Sequence, residues 1–279
     1  MAAQEGVAIL GVFVADLAFR AGRQPKDGET IVGSGFKMGP GGKGSNQSVA
    51  AARVGGKVTF ISKIGRDAFG DIALKTWKDE GIVARAAQSD KEPTGAAYIF
   101  VNHDTGENAI IVYPGAGGAL SVADVDAAAD AIRGAKVFVT QLEQPAATAQ
   151  HGLEVARAAG VVTIFNPAPA VPIPDSIYPF CDYIVPNETE AAALTGLSVA
   201  TLNDAKRVGD ALLAKGAKNA LITLGERGAL LHNSKSSVEI PAFRAGPVVE
   251  TTGYPRPSLR AQAARPAHFE ELEGESPWG

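Results

Sequence analysis

Short apolar runs that alternate with alanine-rich stretches of helical length constrain this chain more than any other feature. VAIL (7–10), VTFI (58–61), KVFVTQL (136–142), VVTIFN (161–166), CDYIVPN (181–187) and ALITLG (220–225) read as buried strands. Between them, 121–133, 146–159, 188–195 and 203–215 read as helices. A strand that is apolar on both faces has to be covered on both faces, so the alternation predicts a mainly parallel sheet in a three-layer α/β/α sandwich. Ligands of such sheets sit at the carboxyl ends of the strands. Two segments break the pattern, 12–38 and 93–113; the second carries TGAAYIFVN and NAIIVYP with no helix between them. They predict a small antiparallel accessory sheet, or lid.

The 279 residues are enough for a substantial core. The last 26 differ in kind: residues 254–279 hold four prolines and neither a strand nor an amphipathic pattern. The expected organisation is an α/β domain over 1–253 and an aberrant or disordered tail over 254–279. A net charge of −4 supplies no field for nucleic acid or anionic lipid. No apolar run approaches membrane-spanning length, and the N-terminus lacks a secretory pattern. One cysteine, Cys181, rules out an intrachain disulfide framework, and the four histidines have no ligand spacing. A cytoplasmic protein without a transition-metal centre or a nucleophilic hydrolase site is expected.

The segment GPGGKGSNQSVAAA (39–52) has the look of a phosphate loop running into a helix. A Walker loop needs Ser or Thr directly after Gly-Lys, and here Gly44 follows Lys43, with Ser45 one place late. A glycine turn that only starts a helix is the plain alternative. Asp16 and Glu143, taken alone, read as solvated charges, and Asn187 with Glu190 as a helix cap and its third residue.

Taken in order, however, these pieces resemble the ribokinase (PfkB) family of carbohydrate kinases. The resemblance rests on GVFVADLAFRAGRQPKDGET, GPGGKGSNQSVAAARVGGKVTFISKIGRDAFGD, VTQLEQP, NPAPA, VPNETEAAALTG and LITLGERGALL, and spans about the first 250 residues. It implies a ribokinase-like fold with a β lid. It also implies that the glycine turn holds sugar, with Asp16, Gly42, Lys43, Gly44, Asn46 and Glu143 as substrate-binding residues. Asn187, Thr223, Gly225, Glu226 and Gly228 would line ATP. Glu190 would position Mg²⁺ through water, as suits a cation that keeps its waters. Glu250 and Thr252 would be the remnant of a monovalent-cation (K⁺) site. A homodimer through the lid is implied as well. Ribose is the expected sugar, with another pentose or a nucleoside behind it. Members of the family often carry Asn two places before the lid Asp, where this chain has Val14.

The family's catalytic motif, Asp-Thr-x-Gly-Ala-Gly-Asp, supplies a proton acceptor and a backbone anion hole. Here Glu250-Thr251-Thr252-Gly253 runs into Tyr254-Pro255-Arg256-Pro257, which has no counterpart of the catalytic Asp. A shifted reading frame would account for this: GC-rich codons for Asp-Ala-Phe-Ala-Ala-Gly, read one base late, give Thr-Pro-Ser-Leu-Arg, and the chain has RPSLRA at 256–261. The expectation is a sugar kinase with impaired catalysis, or else a sugar-binding remnant without activity or the product of a broken gene.

Overall fold

The apolar runs at 7–10 and 137–140 become strands buried along their whole length. The computed structural model describes residues 4–243. In chain order its elements are β1 (Val7–Leu10), β2 (Val14–Ala21), β3 (Gly35–Gly41), α1 (Lys43–Arg53), β4 (Val58–Gly65), α2 (Ala68–Asp79), β5 (Val83–Ser89), β6 (Thr94–Asn102) and β7 (Asn108–Pro114). There follow α3 (Gly115–Gly118), α4 (Val122–Asp126), α5 (Ala129–Gly134), β8 (Val137–Thr140), α6 (Ala146–Ala158), β9 (Val162–Phe165), β10 (Tyr183–Ile184), α7 (Glu188–Thr195), α8 (Leu202–Ala214), β11 (Asn219–Thr223), β12 (Ala229–Asn233) and β13 (Ser237–Ile240).

Nine strands form the main sheet in the order β13-β12-β11-β10-β9-β8-β1-β4-β5. From β11 to β5 every pairing is parallel, with Val7 level with both Val58 and Val137; β12 and β13 add an antiparallel edge. Alternate residues of each strand face opposite layers. Ala8 and Leu10 join Phe138, Phe165, Ile184 and Ile222 in the core beside α6 and α8. Val7 and Ile9 join Phe60, Ile64 and Trp77 in the core beside α1 and α2.

The lid is a four-stranded sheet in the order β3-β2-β6-β7. Its outer pairings are antiparallel as expected, but its central pairing, β2 with β6, is parallel. The reason is connectivity: β2 continues from β1 and β6 from β5, two core strands that run in the same direction, so both leave the sheet the same way. Asp67 fastens this second exit. Its carboxylate caps α2 through Gly70 N–H at 2.8 Å and accepts Thr94 N–H at 2.7 Å, at the start of β6. Burial opposes its ionisation, but these backbone N–H groups outweigh that and hold the Asp67 carboxyl below its usual range.

Two boundaries differ from expectation. The helix read over 121–133 is broken into α4 and α5, because Ala128 leaves helical geometry at φ −114°, ψ 12°. The strand read over 181–187 keeps only Tyr183–Ile184 in the ladder. Pro186 has no N–H to give, and Asn187 already turns to cap α7. The tail over 254–279, with Glu250 and Thr252, lies outside the described residues.

Candidate active site

Strand order reverses around β1: β4 and β5 extend the sheet on one side, β8 to β11 on the other. The crevice beyond the carboxyl ends of β1 and β8 is therefore the topological switch point, where open α/β sheets bind ligands. Asp16, on the lid strand that continues from β1, comes to this place, as do the N-terminus of α1 and Glu143 in the loop after β8.

The glycine turn is shaped by close approach. Gly42 caps α1 with φ 88°, and a Cβ there would collide with the carbonyl of Val12. Gly44 packs against Gly11 so closely that a Cβ on Gly44 would lie 2.7 Å from the Gly11 Cα. The turn brings Lys43 N–H to the Glu143 carboxylate at 2.6 Å. Below it, Trp77 Nε1–H donates to Ser45 Oγ at 2.9 Å and anchors the first turn of α1 to α2. Asn46 is half-buried, and among the described residues its side-chain amide makes no hydrogen bond.

Asp16 and Glu143 form a shielded acidic pair. Burial pushes the Asp16 carboxyl up to about 6. Glu143 is also raised, first by burial and further by the charge of Asp16, while Lys43 opposes the shift. Two carboxylates with a lysine and an amide beside them make an acceptor-rich, partly dry cluster suited to neighbouring hydroxyls.

Farther along the same edge, Asn187 and Glu190 form a reciprocal cap on α7. Asn187 Oδ1 accepts Glu190 N–H at 2.8 Å, and the Glu190 carboxylate accepts Asn187 N–H at 2.8 Å and Asn187 Nδ2–H at 2.9 Å. The helix-cap reading of this pair is therefore correct as local structure. Burial raises the Glu190 carboxyl, against the Asn187 N–H and the charge of Lys43. The charge of Lys43 is thus felt by both Glu143 and Glu190. Each Glu190 oxygen keeps a lone pair beyond its bond to Asn187, which fits a water-mediated cation better than a direct one. Among the described residues no group of three or more His, Cys, Asp or Glu could hold a metal by itself. A magnesium ion brought by phosphates does not need such a group.

Thr223 ends β11, bridged to Asn187 with its N–H on the Pro186 carbonyl at 3.0 Å. Gly225 and Gly228 then turn the chain into β12. At Gly228 φ is 89°, and a Cβ would strike the carbonyl of Ile240. Glu226 sits on this turn, and Arg227 binds back to Glu188 and to the Ala200 carbonyl. The structure thus gathers Asp16, Gly42, Lys43, Gly44, Asn46 and Glu143 at β1/β8, and Asn187, Glu190, Thr223, Gly225, Glu226 and Gly228 at β10/β11. β9 lies between the two groups. The residues that motif reading passed over are Gln47 and Gln141, buried beneath the turn, and Asp67 at the lid hinge. Gln47 and Gln141 signal only by being polar residues that the fold buries, and Asp67 by standing directly before a helix.

Residues 4–253 match the pfkB family carbohydrate kinase. The chain is 38% identical over 251 residues to the ribokinase of Staphylococcus aureus and to the deoxyribokinase of Salmonella typhi, covering 88% of this chain and 81% of each relative. The ribokinase of Mus musculus is also 38% identical, over 88% of this chain and 77% of its own length. Among solved structures, Arabidopsis thaliana ribokinase complexed with ribose and ATP superposes with a TM-score of 0.88 at 28% identity, over 98% of this chain and 88% of that one. The chain belongs to the PfkB family of carbohydrate kinases, whose members are phosphotransferases.

Proposed function

We propose that this chain binds a pentose at the β1/β8 crevice and ATP at the β10/β11 edge, and descends from enzymes that phosphorylate ribose at its primary hydroxyl. The observation that carries the reading is the Asp16–Lys43–Glu143 cluster at the topological switch point, with Asn46 open beside it. The Asp16 and Glu143 carboxylates accept sugar hydroxyls, while Lys43 and the Asn46 amide donate to others. Lys43 also lies toward the phosphate side. Asn187 and Glu190 orient the phosphate end, and the Thr223–Gly228 turn lines the nucleotide. Mg·ATP supplies the activated phosphoryl group and much of the charge neutralisation. Glu250 and Thr252 would be the remnant of a potassium site.

The family motif after Gly253 provides a proton acceptor and backbone N–H donors, whereas this chain places Pro255 and Pro257 there. On this reading catalysis is severely impaired while sugar binding persists; the rival is a sugar-binding remnant with no catalytic role. The α/β unit spans 1–253, with 254–279 as an aberrant tail. The exposed apolar lid residues Phe19, Phe36 and Ile111 suit pairing with a second copy through the lid. Among the described residues no helix is long and apolar enough to cross a membrane.

One observation favours a second sugar. The identity to a deoxyribokinase equals that to ribokinases, and buried Val14 shares a face of β2 with Asp16. An apolar branch there suits a sugar that lacks one hydroxyl. Calorimetry with ribose, 2-deoxyribose and adenosine separates these readings: pentose binding supports the proposal, and binding of adenosine alone overturns it.

A further inference from the structure

Beneath the glycine turn runs a series of side-chain amides with no role in the reaction as proposed. Asn166, directly after β9, donates from Nδ2 to the Val185 carbonyl at 2.8 Å, and its Oδ1 accepts from Gln47 Nε2 at 3.4 Å. Gln47 Oε1 in turn accepts from Gln141 Nε2. Gln47 and Gln141 are 5% and 0% exposed. A carbonyl can only accept, so Val185 sets the orientation of all three amides: each donates toward Val185, and Asn166 and Gln47 accept from the next amide in the series. The orphaned end of the series is Gln141 Oε1, buried without a hydrogen-bond partner among the described residues. It is wedged where a Cβ on Gly11 or Gly44 would lie 2.5 or 3.0 Å away.

Natural interiors seldom keep an unmet acceptor without compensation. Here the series connects the two halves of the edge. Gln47 is one helical turn beyond Lys43, Gln141 is two residues before Glu143, and Val185 is two residues before Asn187. We propose that Gln141, Gln47 and Asn166 are positioning residues that hold the Lys43–Asn46 turn in register with the Asn187–Glu190 cap, so that sugar-facing and phosphate-facing groups move as one unit. The inference rests on the functional reading above for what each end binds.

Hydrogen–deuterium exchange on the full chain tests it, comparing wild type with Gln47→Met and Gln141→Met. Methionine is close to glutamine in length, so packing is kept while the amide bonds are lost. The expected result is exchange about tenfold faster both in 42–48 and in 184–191 for each variant, as for loss of one buried hydrogen bond, with 58–65 and 83–89 unchanged. A change confined to 42–48, a uniform change, or none overturns the proposal. If either variant does not fold, the wild type decides by nuclear magnetic resonance: slowed side-chain NH₂ exchange at Gln47, Gln141 and Asn166 supports the series, and free exchange refutes it. Ribose and 2-deoxyribose calorimetry on the same samples keeps the two claims apart. Wild type that binds neither pentose sinks the functional reading, while the exchange pattern still decides the positioning role.

Discussion

Replacing Asp16 by asparagine should stabilise the fold at neutral pH and weaken sugar binding. Burial raises this carboxyl from 3.8 to about 6. The folded state therefore holds the proton more tightly than the unfolded chain. The associated stability is complete below pH 3.8, falls as pH rises through the window from 3.8 to about 6, and is gone above it. At about 1.36 kcal/mol per pH unit, the full shift corresponds to roughly 3 kcal/mol. Asp16 is only half-buried, and solvent screening reduces this to about 1–2 kcal/mol. Asparagine keeps the shape and has no charge to bury. Urea unfolding of both proteins at about pH 3 and at pH 7.5 should show Asp16→Asn equal to wild type at the lower pH and about 1–2 kcal/mol more stable at the higher. Ribose affinity should fall about 10- to 100-fold at pH 7.5, as expected for a lost charge-assisted hydrogen bond. A variant less stable than wild type at pH 7.5, or a difference that does not change with pH, would refute the reasoning.

Other substitutions probe the frame around the site. Gly44→Ala puts a Cβ 2.7 Å from the Gly11 backbone, and should cost about 1–3 kcal/mol in urea unfolding and abolish ribose binding in calorimetry. Ser45→Ala strands the buried Trp77 indole N–H, and chemical denaturation should show a loss of about 1–3 kcal/mol. Asn187→Ala removes the cap of α7; about 0.5–2 kcal/mol of stability should go, and Mg·ATP should bind more weakly in a fluorescent-nucleotide displacement assay.

Those parts of the molecule whose signal is local were legible in the sequence. VAIL and VTFI fall in strands because a continuous apolar run leaves no solvent face, and the spacing at 188–195 and 203–215 marks helices that the structure keeps. The lid segments were visible as strands without helices. The parallel pairing of β2 with β6 was not, because strand direction follows from the core strands each one leaves. Motif reading did not single out α2; its cap, Asp67, serves the helix and Thr94 at once, 27 residues apart. The amide series was hidden for the same reason. Gln47 and Gln141 are 94 positions apart, and each is an ordinary polar residue until the fold buries it. Lys43, Asn46 and Glu143 could be named from short motifs, but the raised carboxyls of Asp16 and Glu143 arise only when the lid and the loop after β8 close around them.

The central claim is that the sugar half of the site is assembled while the phosphoryl-transfer half lacks its acceptor and donors after Gly253. Ribose calorimetry together with a coupled ribose-kinase assay, run beside the Staphylococcus aureus ribokinase under the same conditions, tests it most directly. The account predicts measurable ribose binding with turnover at least about 100-fold below that of the relative, since a single oxyanion donor is worth about 10²–10³ in rate. Turnover equal to the relative's, or no pentose binding at all, would contradict it.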